Sequence, residues 1–147
     1  MQRFRGDNET RKIEFVLYCE KEIRLAVQEA RLATSGHTGG LPSGHAYVAD
    51  PTAVQAIRNA SEVIVIELFG GIRLAFPERW LAVVDKLRSW ASGDPVTNGV
   101  LADRYKHISY QKTIERLHVS EWVYKDRLRR IRDQAKLIAA KFDLIEV

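Results

Sequence analysis

The sequence predicts an all-α protein of about six helices, on three observations. Apolar residues recur at steps of three and four through most of the chain of 147 residues. The segments end at Gly, Pro, Ser and Asp clusters that start or stop helices, and no stretch shows the alternation of paired strands. The C-terminal run from Ile108 to Ala140 has the spacing of a helix-turn-helix with a long, basic second helix.

The first predicted helix is long and amphipathic, from about Asn8 to Ala33, with Ile13, Val16, Leu17, Ile23, Val27 and Ala30 inward and Thr10 to Glu14 as its opening turns. Thr34-Ser35-Gly36 is expected to end it through a left-handed glycine. Phe15, Tyr18, Leu25 and Leu32 add apolar surface on other sides, so this helix should pack on two surfaces, one of them in another subunit of a homo-oligomer. Residues 35 to 49 read as a Gly-rich loop. Its His37 and His45, with Asp50 beyond, lack fixed geometry and a third soft ligand, so no metal is expected. The glycines fit neither phosphate-binding pattern, and no cofactor is expected.

Asp50-Pro51 is a strong helix start, an N-cap followed by a pre-set first turn, and a helix is predicted through Val54, Ile57, Ser61, Ile64 and Leu68 to Gly70-Gly71. VIVIELF within it is β-branched enough for a strand, but the helical register favours helix. Ile72 to Phe76 is either a helical continuation or a connector. Pro77-Glu78 opens the next helix, with Trp80, Leu81, Val84, Leu87 and Trp90 or Ala91 inward, and Ser92-Gly93-Asp94-Pro95 stops it. Thr97 or Asn98 then caps a short helix from Val100 to Lys106. This divides the chain into a helical assembly region, 1–93, and a helix-turn-helix lobe, 94–147.

Within that lobe Ser109 should cap the first helix, with Tyr110, Ile114 and Leu117 on its inner face; His118-Val119 is the turn and Ser120 caps the second helix. Tyr124, Leu128, Ile131, Ala135, Ile138 and Phe142 form the inward stripe of the second helix. Glu121, Trp122, Lys125, Asp126 and Arg129 then face outward at its front, where a recognition helix meets base edges. Lys125 and Arg129 are suited to guanine or an adjacent phosphate, or else they pair with Glu121 or Asp126 along the helix. Trp122 either stacks on sugar or a thymine methyl, or is buried against the preceding helix. Ser109, Gln111, Lys112, Arg116, Ser120 and Arg130 are phosphate candidates, and Arg127 and Arg132 add to the positive field.

Charge supports that placement. Residues 1–100 hold 12 basic and 12 acidic side chains, whereas residues 101–147 hold 11 and 7, which is the whole net charge of +4. One cysteine, Cys19, excludes an internal disulfide. No apolar run is long enough to span a bilayer and the start MQRFRGDNET lacks the apolar segment of a secretion signal, so no membrane partner and a cytoplasmic location are expected. Ser43, His45 and Asp50 do not make a nucleophile elbow, and no enzyme is expected.

Two stretches resemble a known family. VADPTAVQAI, residues 48–57, and the run from Val100 to Ala139 are similar to segments of the phage-encoded late transcriptional regulators of the ArpU and RinA type, whose helix-turn-helix resembles region 4 of bacterial sigma factors. The resemblance implies promoter DNA as ligand, activation of late genes, RNA polymerase as a further partner and a bacterial host cell as the setting. Against the common pattern, Ile114 stands where a small Ala is usual, His118 replaces the turn Gly, and Glu121-Trp122 opens the recognition helix. Two other readings fit the same features: a phage small terminase subunit, which would form ring-sized oligomers, and a helical adaptor that binds an acidic protein partner without DNA.

Overall fold

The structure, a computed structural model, describes residues 8–39 and 62–145, with the backbone alone from 34 to 39. The described residues are all-α apart from one small hairpin. In order, the elements are α1 (Asn8–Tyr18), α2 (Glu20–Gly39), β1 (Val65–Glu67), β2 (Arg73–Ala75), α3 (Pro77–Ala91), α4 (Pro95–Arg104), α5 (Tyr110–Leu117) and α6 (Glu121–Lys141). No helix among the described residues is long and apolar enough to cross a membrane.

The described residues form two compact units, one within Met1–Glu20 and Arg79–Val147, the other within Lys21–Glu78. This grouping differs from the division at 93/94 expected from the sequence, because α1 packs on α6 and so brings the beginning of the chain to its end.

The first unit is built around the apolar stripe of α6. Tyr124, Leu128, Ile131, Ala135 and Ile138 are all buried, as their spacing requires, together with Ile13, Val16 and Leu17 of α1, Trp80, Val84 and Leu87 of α3, and Val100 and Leu101 of α4. Each valine, leucine and isoleucine among them contributes about 1.5–3 kcal/mol by leaving water. Phe142, expected to close the stripe, is instead the C-cap residue and half-buried, with Lys86 Nζ 5.3 Å from its ring centroid. On α3 the inward choice between Trp90 and Ala91 falls to Ala91, and Trp90 is exposed.

A polar group also lies inside this unit. Glu14 of α1 is buried and accepts a hydrogen bond from Arg132 Nε of α6, two residues 118 positions apart in sequence. Around it stand Tyr18, whose ring meets that of Tyr105 edge-on at 5.0 Å, and Arg104, 5.9 Å from the Tyr18 ring. Burial pushes the Tyr105 phenol well above its ordinary range and raises those of Tyr18 and Tyr124, so all three stay protonated at neutral pH.

The second unit holds most of α2 and the hairpin. VIVIELF does not continue a helix: Val65 pairs with Ala75, Ile66 with Leu74 and Glu67 with Arg73 in antiparallel register. Ile66 and Leu74 are buried while their neighbours on either side are exposed, the period of two that a half-buried strand needs. Gly70 (φ 73°) and Gly71 (φ 74°) form the turn, in a left-handed conformation that favours glycine. At the base of the hairpin Glu78 accepts from Arg31 Nε of α2 at 2.6 Å and from the Val63 amide at 3.3 Å.

Three further expectations are corrected. The long N-terminal helix is interrupted at Cys19, which is buried. Its second half passes through Gly36 and ends at Gly39. The short helix before the helix-turn-helix begins at Pro95, not Val100: Asp94 is its N-cap, accepting from the Val96 amide at 3.3 Å and the Thr97 hydroxyl at 2.6 Å. The helix start at Asp50 and the His45 and Asp50 side chains lie outside the described residues, as does the His37 side chain.

Candidate nucleic-acid interface

The N-caps of α5 and α6 stand where the sequence places them. Ser109 Oγ accepts from the Lys112 amide at 3.4 Å, and Ser120 Oγ accepts from the Val123 amide at 3.2 Å, satisfying an otherwise free donor in each first turn. Between the helices His118 adopts φ 55°, ψ 45°, the left-handed conformation that favours glycine. Its amide donates to the Glu115 and Ile114 carbonyls, closing α5 before the chain turns into α6.

What seats α5 is not visible in its spacing. Tyr110 is exposed, Ile114 and Leu117 are half-buried, and the fully buried residue is Thr113. Its hydroxyl lies 3.1 Å from Asp103 Oδ2 and 3.3 Å from the Ser109 carbonyl oxygen, either of which it can donate to. The same Asp103 oxygen accepts from Arg116 Nε at 3.2 Å and Nη2 at 2.6 Å. Leu117 packs on α4 at Gly99, where an added Cβ would come within 2.7 Å of its Cδ2. One carboxylate and one glycine on α4 therefore fix the position of α5.

On α6 the outward residues share the side opposite the buried stripe. Trp122 is 73% exposed, which excludes burial against the preceding helix. Lys125 Nζ pairs with Glu121 Oε1 at 2.8 Å, and Arg129 Nη2 with Asp126 Oδ1 at 2.9 Å. Both are pairings along one helix; Lys125–Glu121 is exposed on both sides, so water screens its charges and it adds little to stability, whereas the Asp126 carboxylate is largely covered. The Glu121 carboxylate raises the Lys125 ammonium pKa, which keeps it charged. Tyr110 lies beside this face, with its ring centroid 6.0 Å from that of Tyr124. The start of α5 thus lies beside the second turn of α6. Spacing alone turns Tyr110 inward, and its place in the first turn of α5, next to the Ser109 cap, is the signal that it belongs to the interface.

Of the phosphate candidates, Gln111 and Lys112 are exposed, and the Ser109 and Ser120 oxygens serve as caps. Arg116 is engaged by Asp103 but keeps 56% of its side chain exposed, and Arg130, 3.0 Å from Asp126 Oδ2, keeps 57%. Arg127 and Arg132 turn elsewhere, Arg127 Nε to Asp94 at 3.2 Å and Arg132 to Glu14, so they add little to the outward field. Asp126 is not an open base-facing group, because its carboxylate is covered by arginines.

The arrangement offers a hydrogen-bonding and apolar edge at the front of a capped helix, flanked by cations, and the described residues include no cluster of His, Cys, Asp and Glu able to hold a metal. Comparison of the chain with family models, with curated proteins and with solved structures finds no match.

Proposed function

We propose that the protein binds double-stranded DNA through the outward face of α6 and regulates transcription. The observation that supports this reading is the front of α6: a tight left-handed turn, a serine cap, and then Trp122, Lys125 and Arg129 exposed together on a side free of the core. A helix presented in this way fits the major groove, where lysine and arginine donate to guanine N7 and O6 and an indole meets a thymine methyl. Lys112 and Gln111 at the start of α5 suit the neighbouring phosphates, and Ser109 and Ser120 add hydroxyl donors there. The surface pair Lys125–Glu121 is weak enough to be exchanged for an interaction with DNA, and Arg129 has guanidinium nitrogens beyond the one on Asp126. The regulatory role, in the manner of phage late regulators, rests on the resemblance of residues 48–57 and 100–139 alone.

Selection from a pool of random duplexes tests the reading. Enrichment of one sequence family at physiological salt is the expected result. Equal retention of all duplexes and of unrelated polyanions would replace it with an adaptor for acidic surfaces.

A further inference from the structure

Asp126 stands on the solvent side of α6, a place where an aspartate should be open to water. Only 9% of its side chain is exposed, because three guanidiniums cover it. Arg129 Nη2 lies 2.9 Å from Oδ1, Arg130 Nε 3.0 Å from Oδ2 and Arg127 Nη1 3.6 Å from Oδ2. Arg127 in turn reaches Asp94, the cap of α4, so the cluster is anchored to a second helix. The hydrogen bond from Arg129 first, and the charges of Arg130, Arg129 and Arg127 with it, hold the Asp126 carboxyl below its ordinary range, so it is ionised at neutral pH.

The charge-assisted hydrogen bond from Arg129 and the ion pair with Arg130 limit the rotamers of two long side chains before any ligand arrives. Arg129 and Arg130 nevertheless remain 70% and 57% exposed, and each has guanidinium nitrogens beyond the one on Asp126. Ordering such side chains on binding is a main cost of recognition, and Asp126 removes part of it. Its negative charge also lowers the attraction of the face for phosphates of any sequence.

We infer, resting on the DNA-binding reading above, that Asp126 is a positioning residue for sequence discrimination: it presets Arg129 and Arg130 as donors and weakens binding to DNA in general. It touches no base itself.

The test uses the full chain, a duplex enriched from the random pool and a scrambled duplex of the same composition, with fluorescence anisotropy titrations over a range of salt. In Asp126→Asn the affinity for scrambled DNA rises severalfold and its salt dependence steepens by about 0.9 in log–log slope if one more phosphate is neutralised. The ratio of enriched to scrambled affinity falls about tenfold, the lower end of what one well-placed bidentate pairing provides. Asp126→Glu retains the ratio, since its carboxylate still reaches arginines three and four residues on. Arg129→Lys keeps the charge and loses the planar fork, so the ratio falls about tenfold while scrambled binding is unchanged; this variant decides the matter if the Asn variant does not fold. A native chain that enriches no sequence overturns both readings. A selective native chain whose ratio survives in Asp126→Asn or Arg129→Lys overturns this inference and leaves DNA binding standing.

Discussion

Helix α6 carries two kinds of arginine, and the difference between them separates fold from function. Arg132 reaches a carboxylate in the core: Glu14 of α1 is 2% exposed on its side chain, and the pair joins the two ends of the chain. Arg129, one turn earlier, pairs with Asp126 on the same helix and keeps 70% of its side chain in water. A buried pair is dangerous to break because the remaining charge has no water to turn to, whereas an exposed pair loses little. Substitutions on one side of α6 therefore report stability, and those on the other report the DNA binding proposed above.

The largest effect should come from Glu14→Ala, which leaves Arg132 facing buried phenols. A decrease of about 3 kcal/mol is expected in denaturant titration, at the low end for a buried pair because Arg132 retains partial access to water. A change below about 1 kcal/mol would mean that α1 does not depend on this ion pair. Asp103→Ala comes next, since it removes the acceptor shared by Thr113 and Arg116. It should cost about 2 kcal/mol, the worth of a hydrogen bond to a charged group in a partly buried place. It should also weaken DNA binding, because α5 loses its anchor on α4; undiminished binding would separate the seating of α5 from the interface.

Acid produces a smaller effect. Asp94 has its carboxyl pKa lowered from 3.8, mainly by the Thr97 hydroxyl, and Asp126 likewise, mainly by Arg129. A carboxyl with a depressed folded value binds fewer protons when folded than when unfolded. Its contribution is complete above about 3.8 and is lost as the pH falls below that toward the folded value. Thermal melts should show a shallow added decline in that window, and Asp94→Asn should flatten it.

Local and periodic features of this chain are legible in the sequence. Both serine caps and the stripe from Tyr124 to Ile138 follow from spacing along a single helix, and the structure holds them where expected. The Asp-Pro start of α4 is equally local, but Ser92-Gly93-Asp94-Pro95 stops one helix and starts another, and the stop masks the start. VIVIELF satisfies both periods over a few residues, and the hairpin is settled by its pairing with Arg73–Ala75. The break at Cys19 has no glycine or proline to announce it. Glu14 with Arg132, and Asp103 with Thr113 and Arg116, are products of tertiary packing that no spacing records. For the proposed interface this matters most: the sequence supplies the arginines of α6, and only burial separates those turned inward from those left exposed.

That separation is tested most directly by the paired substitution Lys125→Ala with Arg129→Ala, read by two measurements on one protein: denaturant stability and affinity for the enriched duplex. The side chains are exposed and their pairs lie along the helix, so stability should change by no more than about 0.5 kcal/mol. Affinity should fall by about 1–3 kcal/mol for each base-reading side chain removed, about thirtyfold or more for the pair. Affinity equal to that of the native chain, at unchanged stability, would contradict the assignment of this face of α6 to DNA.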